Sequence, residues 1–350
     1  MENSPDRKPV LSRRVWGLLA TLGSVLVLLL LTAGQGTASY LSPDAVKVVK
    51  VWDAAPHNGF TDLILFRNRF LLAFREGASH DSMDGKIRVL LSSDGKTWEP
   101  VALLVAPLVD LRDPKFSISP EGTLMLNAAA AQRNVSPTRY LSLYWTSSDG
   151  RTWTALQPFG NLNYWLWRVA WEDSMGYSVG YRTVPPYHTT LYSGNPALGI
   201  DFSPVISPLV SGSYANETVL LFRPNTDLLA LARRDPVAPY TTSLALLGNA
   251  APPYTSWTWT ATNYRLGGPD MLELSDGRII VGARVYSPST HTGLLWVDPQ
   301  QGTLTEFVEL PSGGDTGYPG ILVRNDVLWV SYYSSHEGKA SIYVAKVKLP

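Results

Sequence analysis

One pattern recurs six times along the sequence, at a spacing of about 50 residues. In each copy, an apolar run of strand length is followed by a short polar turn and a second apolar run, as in TDLILFRNRFLLAFRE from Thr61. The six turns are centred near Asn68, Glu121, Ser174, Asn225, Asp276 and Asn325. Two apolar runs joined by such a turn predict a β-hairpin, so the chain is expected to contain six similar β units.

Each hairpin is followed by a further pair of extended segments, KIRVLLS and WEPVALLV after the first. Six repeats of four strands predict an all-β fold, a six-bladed β-propeller. The last repeat ends at ASIYVAKVKLP and is one strand short, and VKVVKVW from Val46 is expected to complete it and close the ring. From Val46 onward no run has a helical apolar period, which excludes an α/β fold with helices between the strands.

Composition narrows the classes of ligand and site. Lys+Arg and Asp+Glu number 29 each, so no overall field would draw the protein to nucleic acid, and no such partner is expected. The chain has no cysteine, which excludes disulfides, thiolate metal sites and cysteine nucleophiles. Its 5 histidines lie scattered without metal-ligand spacing. Neither a metal nor a cofactor is therefore predicted.

The N-terminal part carries a membrane-targeting pattern. An uncharged run extends from Val15 to about Gly34, and about 20 apolar residues can span a bilayer as a helix. Its basic flank predicts a cytoplasmic N-terminus. The flanking residues are Arg7, Lys8, Arg13 and Arg14. The alternative is a signal peptide cleaved near Thr37 and Ala38.

Two parts of the chain follow from this pattern. Residues 1–40 are expected to form a basic stub with a transmembrane anchor or signal peptide, and residues 41–350 the propeller. Both alternatives place the propeller outside the cytoplasm. It would be anchored to the membrane through residues of about 15–34, or secreted or periplasmic if that segment is removed.

Charged residues cluster where propeller geometry makes strands converge, because first strands begin and second strands end on one face of the ring. First-strand starts bring together Thr61-Asp62, Arg112-Asp113, Arg168, Glu217, Asp270 and Tyr318. Second-strand ends bring together Arg75-Glu76, Arg182, Arg233-Arg234, Arg284 and residues 333–337. Arginines and carboxylates around one channel suit an oxygen-rich, anionic ligand.

Two turns, SSDGKTW from Ser92 and SSDGRTW from Ser147, resemble the Asp-box of sialidase-type (BNR-repeat) propeller blades. In such a turn, Asp bonds to its own backbone, Gly supplies a positive φ and Trp packs between blades. Both copies lack the usual residue between Asp and Gly. The segment LLAFREGASHDSMDGKIRVLLSSDGKTW also resembles the first blade of exo-sialidases, and a weak resemblance to the sialidase superfamily extends over the ring.

Retaining sialidases use a Tyr nucleophile activated by Glu, an acid/base Asp on a loop, and three arginines that bind the sugar carboxylate. By similarity, Tyr318 occupies the nucleophile position and Glu217 the position of the activating residue. Arg233 matches the second arginine of the family, and Arg284 is a looser match to the third. The resemblance implies a neutral phenol as nucleophile, which avoids charge repulsion with an anionic sugar.

Two positions of the family pattern need comment: the acid/base Asp has two candidates in this chain, and the first arginine is replaced. The acid/base candidates are Asp81 and Asp84, on the loop after the second strand of the first blade. The family's first arginine belongs to a Phe/Tyr-Arg-Ile-Pro motif, whereas this chain reads NGFTD there, ending at Asp62. A carboxylate at this place would repel the sialic acid carboxylate. Arg75, across the same blade, is the candidate substitute.

Three functions fit these observations. The first is a sialidase-like retaining glycoside hydrolase acting on a terminal acidic sugar of an extracellular glycan, with Arg112 and Arg168 as further substrate-binding candidates. The second is a glycosidase for neutral sugars that uses carboxylates among Asp62, Asp113 and Glu217. Arg-Asp-Pro at 112–114 resembles a segment of five-bladed propeller glycosidases. The third is a non-catalytic glycan-binding propeller.

Overall fold

The structure is a computed structural model that describes residues 45–349. It consists of six four-stranded antiparallel sheets, which confirms the six-bladed propeller. The expected N-terminal helix and the whole of the 1–40 unit lie outside the described residues. Within residues 45–349, no helix is long and apolar enough to cross a membrane.

The strands are numbered in chain order from β1 (Val46–Trp52). Within each blade, the strands are given in order from the central channel outward. Blade one contains β2 (His57–Phe66), β3 (Arg69–Gly77), β4 (Lys86–Ser92) and β5 (Glu99–Leu104). Blade two contains β6 (Asp110–Ile118), β7 (Leu124–Gln132), β8 (Arg139–Ser147) and β9 (Gln157–Pro158). Blade three contains β10 (Tyr164–Glu172), β11 (Met175–Arg182), β12 (Thr189–Asn195) and β13 (Ile200–Ile206), with a 3-10 helix at Pro196–Leu198.

The other three blades repeat this arrangement. Blade four contains β14 (Ala215–Phe222), β15 (Leu228–Arg234), β16 (Leu246–Ala250) and β17 (Thr258–Ala261). Blade five contains β18 (Leu266–Glu273), β19 (Ile279–Val285), β20 (His291–Asp298) and β21 (Thr303–Leu310). Blade six contains β22 (Thr316–Arg324), β23 (Val327–Ser334) and β24 (Ser341–Lys348), and β1 completes it.

The ring closes as the sequence predicts, by pairing of the first strand with the last. β1 lies antiparallel to β24, with Val46 opposite Val347 and Val49 opposite Val344. Blade six therefore combines both ends of the propeller. Through this pairing, β1 covers the outer edge of β24 and is itself the edge strand of the blade. The residues of β1 are partly exposed.

The hydrophobic core lies between neighbouring blades, because the central strands are buried on both faces. On β3, the adjacent residues Leu71 and Leu72 are 1% and 0% exposed. Leu71 belongs to a cluster with Leu126 of blade two, and Leu72 to one with Trp329 of blade six. Burial on both faces explains why these strands read as continuous apolar runs rather than as alternating patterns.

The two Asp-box turns form as predicted, between the third and fourth strands of blades one and two. Asp94 Oδ1 accepts the backbone N–H groups of Lys96 and Thr97 at 2.8 and 2.9 Å. Asp149 makes the same contacts to the backbone of residues 151 and 152. The following glycines, Gly95 and Gly150, have φ of 67° and 75°.

A β-bulge interrupts the innermost strand of every blade at the same place. Two residues of the first strand lie opposite one of the second, and the strand bends and re-aims its side chains. The bulge pairs are Phe60-Thr61, Asp113-Pro114, Trp167-Arg168, Asn216-Glu217, Gly268-Pro269 and Tyr318-Pro319. Most of the side chains described next lie on or beside these six bulges.

Candidate active site

The hydroxyl of Tyr318 and the carboxylate of Glu217 meet across the channel. Tyr318 Oη donates a hydrogen bond to Glu217 Oε1 at 2.8 Å, although the two residues come from blades six and four. Tyr318 lies on the bulge of β22 and has a φ of 52°, in the left-handed region that residues other than Gly seldom adopt. The backbone N–H of Gly268 donates to Glu217 Oε2 at 2.7 Å and fixes the carboxylate. The phenol and a hydrogen-bond acceptor are thus preorganised as a pair.

Two arginines flank the Tyr318 phenol. Arg233 donates from one nitrogen to both carboxylate oxygens of Glu217, at 2.9 and 3.0 Å, and to Tyr318 Oη at 2.9 Å. The Arg284 guanidinium lies 4.9 Å from the centre of the Tyr318 ring. Burial and the charge of Glu217 raise the pKa of Tyr318 well above its ordinary value, and the two arginines offset this only in part. The phenol is therefore neutral, with Glu217 as its hydrogen-bond acceptor.

Each arginine near Tyr318 already has a carboxylate partner. Arg233 pairs with Asp235 at 2.8 Å, and Arg284 pairs with Asp315 at 3.1 Å. Arg112 lies 3.5 Å from a carboxylate oxygen of Asp110 and also contacts Asp81. An anionic ligand would have to compete with these carboxylates for the same donors.

The two acid/base candidates are held as ionised carboxylates by their neighbours. Asp81 is exposed and contacts Arg112 and Arg133, the latter at 2.6 Å. Burial raises the pKa of Asp81, but the charges of these arginines outweigh it and leave the pKa below its ordinary value. The pKa of Asp84 is also lowered, by hydrogen bonds from Ser82 and from the backbone N–H of Ala78.

Asp113 differs from those two carboxylates. It occupies the bulge position in blade two that Tyr318 occupies in blade six, and its φ is 49°. The side chain is buried, with a carboxylate oxygen 3.9 Å from Arg112. Burial raises its pKa to about 6; Arg112 acts against this rise, and the charge of Glu217 adds to it. Asp113 can therefore carry a proton close to neutral pH.

Asp62 and Arg168 lie in a buried cluster of ion pairs across the channel. Arg168 lies 2.8 Å from Asp62 Oδ1 and 3.3 Å from Asp270 Oδ1. The second oxygens of the two carboxylates accept the backbone N–H groups of Phe116 and Ile321, at 2.6 and 2.9 Å. This arrangement links blades one, two, three, five and six. Asp62 and Arg168, catalytic and substrate-binding candidates from the sequence, are thus both paired with partners within the protein.

Arg75 also takes a different place from the one expected. Its side chain is fully buried and lies 2.7 Å from Asp110. The remaining donors bind the carbonyl of Ser79 and the hydroxyl of Ser82, both at 2.8 Å. Arg75 thus anchors the loop that carries Asp81, and its donors are directed at Asp110 and this loop.

The structure adds a cluster that the sequence did not indicate. Asp315 accepts hydrogen bonds from Tyr333 Oη at 2.7 Å and from Arg284. Its other oxygen contacts His57 at 2.8 Å and His80 at 2.6 Å. Asp315 lies three residues before Tyr318, which is a local signal. The histidines are more than 200 residues away from it along the chain, so no spacing rule could bring them together.

Comparisons with known proteins identify the architecture. No protein-family model and no curated protein sequence matches the chain. Among solved structures, it is similar to a protein of unknown function from Dyadobacter fermentans, with a TM-score of 0.74, 19% identity and coverage of 87% of this chain and 100% of the other. Trypanosoma rangeli sialidase aligns with a TM-score of 0.68 and 11% identity over 87% of this chain and 60% of the sialidase.

An α-L-arabinofuranosidase from Fusarium graminearum aligns with a TM-score of 0.65 and 14% identity, over 86% of this chain and 97% of that enzyme. Identities this low establish the fold and leave the substrate open. The six closed blades and these structural similarities define residues 45–349 as a six-bladed β-propeller with the same fold as the sialidase and arabinofuranosidase structures.

Proposed function

We propose that the protein is a retaining glycoside hydrolase that removes a terminal acidic sugar from an extracellular glycan. The observation that carries this proposal is the 2.8 Å hydrogen bond between Tyr318 and Glu217, with Arg233 in contact with both. Covalent catalysis needs a nucleophile beside a base, with a third group that orients the base. In this proposal, Tyr318 is the nucleophile, Glu217 the base and Arg233 the orienting group.

In the proposed reaction, the Tyr318 oxygen attacks the anomeric carbon while Glu217 accepts the phenolic proton. The bond to the leaving oxygen breaks, and that oxygen takes a proton from an acidic side chain. Water then attacks the glycosyl–tyrosine bond, the conjugate base of that acid takes the proton of the water, and the proton returns from Glu217 to the phenol oxygen. Arg233 stabilises negative charge that develops on the phenol oxygen.

Asp81 is the proposed acid for an acidic sugar. In the absence of ligand, Arg112 and Arg133 hold it ionised. A sugar carboxylate that binds Arg112 would take the place of Asp81 and release it from one of these cations. Loss of a cationic neighbour raises the pKa of a carboxyl group, so Asp81 would become a better proton donor once the substrate is bound.

The test is release of a fluorescent aglycone from α-sialosides. Wild-type protein is expected to turn over, whereas Tyr318→Phe and Glu217→Gln each reduce the rate at least about 100-fold, because they remove the nucleophile and its base. Tyr177→Phe is a matched control, because Tyr177 packs in the cluster between blades three and four. Wild-type rates in Tyr318→Phe would rule out the tyrosine as nucleophile.

A second candidate is a glycosidase that uses Asp113 and Glu217 on a neutral sugar. Two observations favour it: the pKa of Asp113 is raised to about 6, and the arginines near Tyr318 already pair with carboxylates. It predicts hydrolysis of neutral glycosides, such as α-L-arabinofuranosides, and a larger rate loss in Asp113→Asn than in Tyr318→Phe. Glycan binding without turnover of any glycoside would instead indicate a binding propeller.

We also propose that the propeller works outside the cytoplasm, supported by the apolar run from Val15 to about Gly34 and its basic flank. The glycan substrate would then lie on the same side of the membrane. Protease accessibility in cells with an intact plasma membrane tests this arrangement, and a propeller that stays protected until lysis would overturn it. Carbonate extraction separates a membrane anchor from a cleaved signal.

A further inference from the structure

His57, His80 and Asp315 converge on the face of the ring where the innermost strands begin. His57 Nε2 lies 2.8 Å and His80 Nδ1 lies 2.6 Å from the same carboxylate oxygen, Asp315 Oδ2. The three atoms all lie within 4.8 Å of one another. Two imidazole nitrogens and one carboxylate oxygen this close together form a ligand set that suits Zn²⁺.

The carboxylate of the cluster is fixed from behind. Its other oxygen, Oδ1, accepts hydrogen bonds from Tyr333 Oη at 2.7 Å and from Arg284 at 3.1 Å. These contacts leave Oδ2 directed towards the two histidines. Outer partners that orient a ligating carboxylate are a regular part of protein metal sites.

The imidazole rings are also held in place, by aromatic neighbours. His57 lies 6.0 Å from both Phe60 and Tyr333 between ring centres, and His80 packs edge-on against Phe60 at 5.0 Å. Gly59 leaves the space that His57 occupies, because a Cβ there would lie 2.9 Å from its Cε1 atom. The nitrogen donors are therefore positioned before any ion arrives.

The cluster is open on one side. The side chain of His57 is 10% exposed, that of Asp315 28% and that of His80 44%. A metal bound by three protein ligands with one accessible side keeps a coordination position for water or a ligand oxygen.

We propose that His57, His80 and Asp315 bind one divalent transition-metal ion of the Zn²⁺ class, with a solvent-accessible fourth position. In the ion-bound state, each imidazole donates a lone pair to the ion from the nitrogen that now lies against Asp315 Oδ2 and carries its proton on the other ring nitrogen. The positive charge of Arg284, 3.1 Å from Asp315 Oδ1, repels a bound cation and lowers the affinity. The proposal is independent of the proposed hydrolysis, in which no step uses this ion.

The position of the cluster has a second consequence. His57 and His80 belong to blade one, whereas Asp315 directly precedes β22 of blade six. A bound ion would therefore link the first and last blades beside the closure of the ring. Because it binds the folded state, it should raise the melting temperature in a concentration-dependent manner.

The test is calorimetric titration of chelator-treated full-length protein with Zn²⁺, together with the visible spectrum after addition of Co²⁺. One equivalent of Zn²⁺ should bind, and Co²⁺ should give the absorption of a low-coordinate site. His80→Ala and Asp315→Asn should each weaken Zn²⁺ binding at least tenfold. His188→Ala is the matched control, since His188 is a partly exposed histidine of blade three that bonds to Tyr164.

Several outcomes would overturn the proposal. They are absence of saturable Zn²⁺ binding, unchanged affinity in His80→Ala, or equal affinity for Mg²⁺, which prefers oxygen ligands. His80→Ala is decisive, because this exposed side chain can be removed without loss of the fold. Loss of metal binding in that variant supports the site whether or not the protein cleaves glycosides, so the metal and the hydrolase proposals fail separately.

Discussion

Asp113 and Tyr318 occupy equivalent backbone positions in two blades, but their side chains differ in acid–base chemistry. Both lie on the bulge of an innermost strand with positive φ, and both are buried. Burial favours the neutral form of each side chain and so raises both pKa values. The raised pKa of the phenol lies far above neutral pH, whereas that of the carboxylic acid lies close to it. The Tyr318 phenol therefore stays protonated at neutral pH, whereas the pKa of Asp113, about 6, lies close to neutral.

This difference predicts an effect of Asp113→Asn on stability. The folded pKa is raised from 3.8 to about 6, so the wild-type protein loses stability as the pH rises through this window, by about 3 kcal/mol. Asn cannot ionise, and the variant should be more stable than wild type at pH 8, with the difference vanishing near pH 4. Urea unfolding at the two pH values measures it. A variant less stable than wild type at pH 8 would show that the pairing of Asp113 with Arg112 outweighs burial.

Arg168 is expected to matter more for stability than for chemistry. Arg168→Met would remove the cation that pairs directly with the buried carboxylates Asp62 and Asp270 and leave them only the nearby Lys115, at a cost of up to about 3–5 kcal/mol. The control is the triple variant that adds Asp62→Asn and Asp270→Asn, in which amide oxygens can still accept the two backbone N–H groups. Urea unfolding at pH 7 should find the triple variant more stable than Arg168→Met. The reverse order would contradict a charge-pairing role.

At the scale of single elements, the bulges and the Asp-box turns have separate tasks. The bulges re-aim side chains from the six innermost strands towards the channel, and the turns connect outer strands at the periphery of blades one and two. Turn residues are recognised from local sequence because their φ angles require particular residue types. The bulges share one position, although their residues range from Gly to Trp.

The Asp-box of blade one predicts a stability difference between two glycine variants. In Gly95→Ala, the new Cβ would lie 2.3 Å from the Trp329 ring at a φ of 67°, so both backbone strain and displacement of the indole destabilise the fold. Gly122 has a φ of 79° with no atom within 4 Å, so Gly122→Ala suffers only the backbone cost of about 1 kcal/mol. Thermal unfolding should rank Gly95→Ala well below Gly122→Ala. Equal melting temperatures would show that Trp329 moves aside freely.

At the scale of the whole molecule, closure of the ring depends on one short strand. β1 supplies the outermost strand of blade six and covers the edge of β24 along six residue pairs. The cluster between blades five and six also receives Val46 and Val48 from β1. Stability of the propeller is therefore shared between the two ends of the chain.

Removal of β1 should open this closure. A chain that begins at residue 54 exposes the edge of β24, and we expect a lower melting temperature and concentration-dependent association. A chain that begins at residue 45 retains β1 and serves as the control. Size-exclusion chromatography and thermal unfolding compare the two, and identical behaviour would mean that three strands suffice for blade six.

The sequence by itself determined the blades, the Asp-box turns, the closing strand and the face on which the charged residues gather. Each of these depends on patterns within about 50 residues, such as apolar runs, turn residues and strand ends. It also identified Tyr318, Glu217 and Arg233 as residues of one face. Which charges pair between blades was decided only by the tertiary structure, because those partners lie far apart along the chain.

Three residues show this limit. Asp62 looks like a channel carboxylate in sequence but is neutralised by Arg168 from blade three. The buried Arg75 finds Asp110, 35 residues away, and Asp315 finds two histidines from blade one. Contacts across a ring and the desolvation that shifts pKa values depend on how six blades close around one channel. No local pattern of residues encodes either.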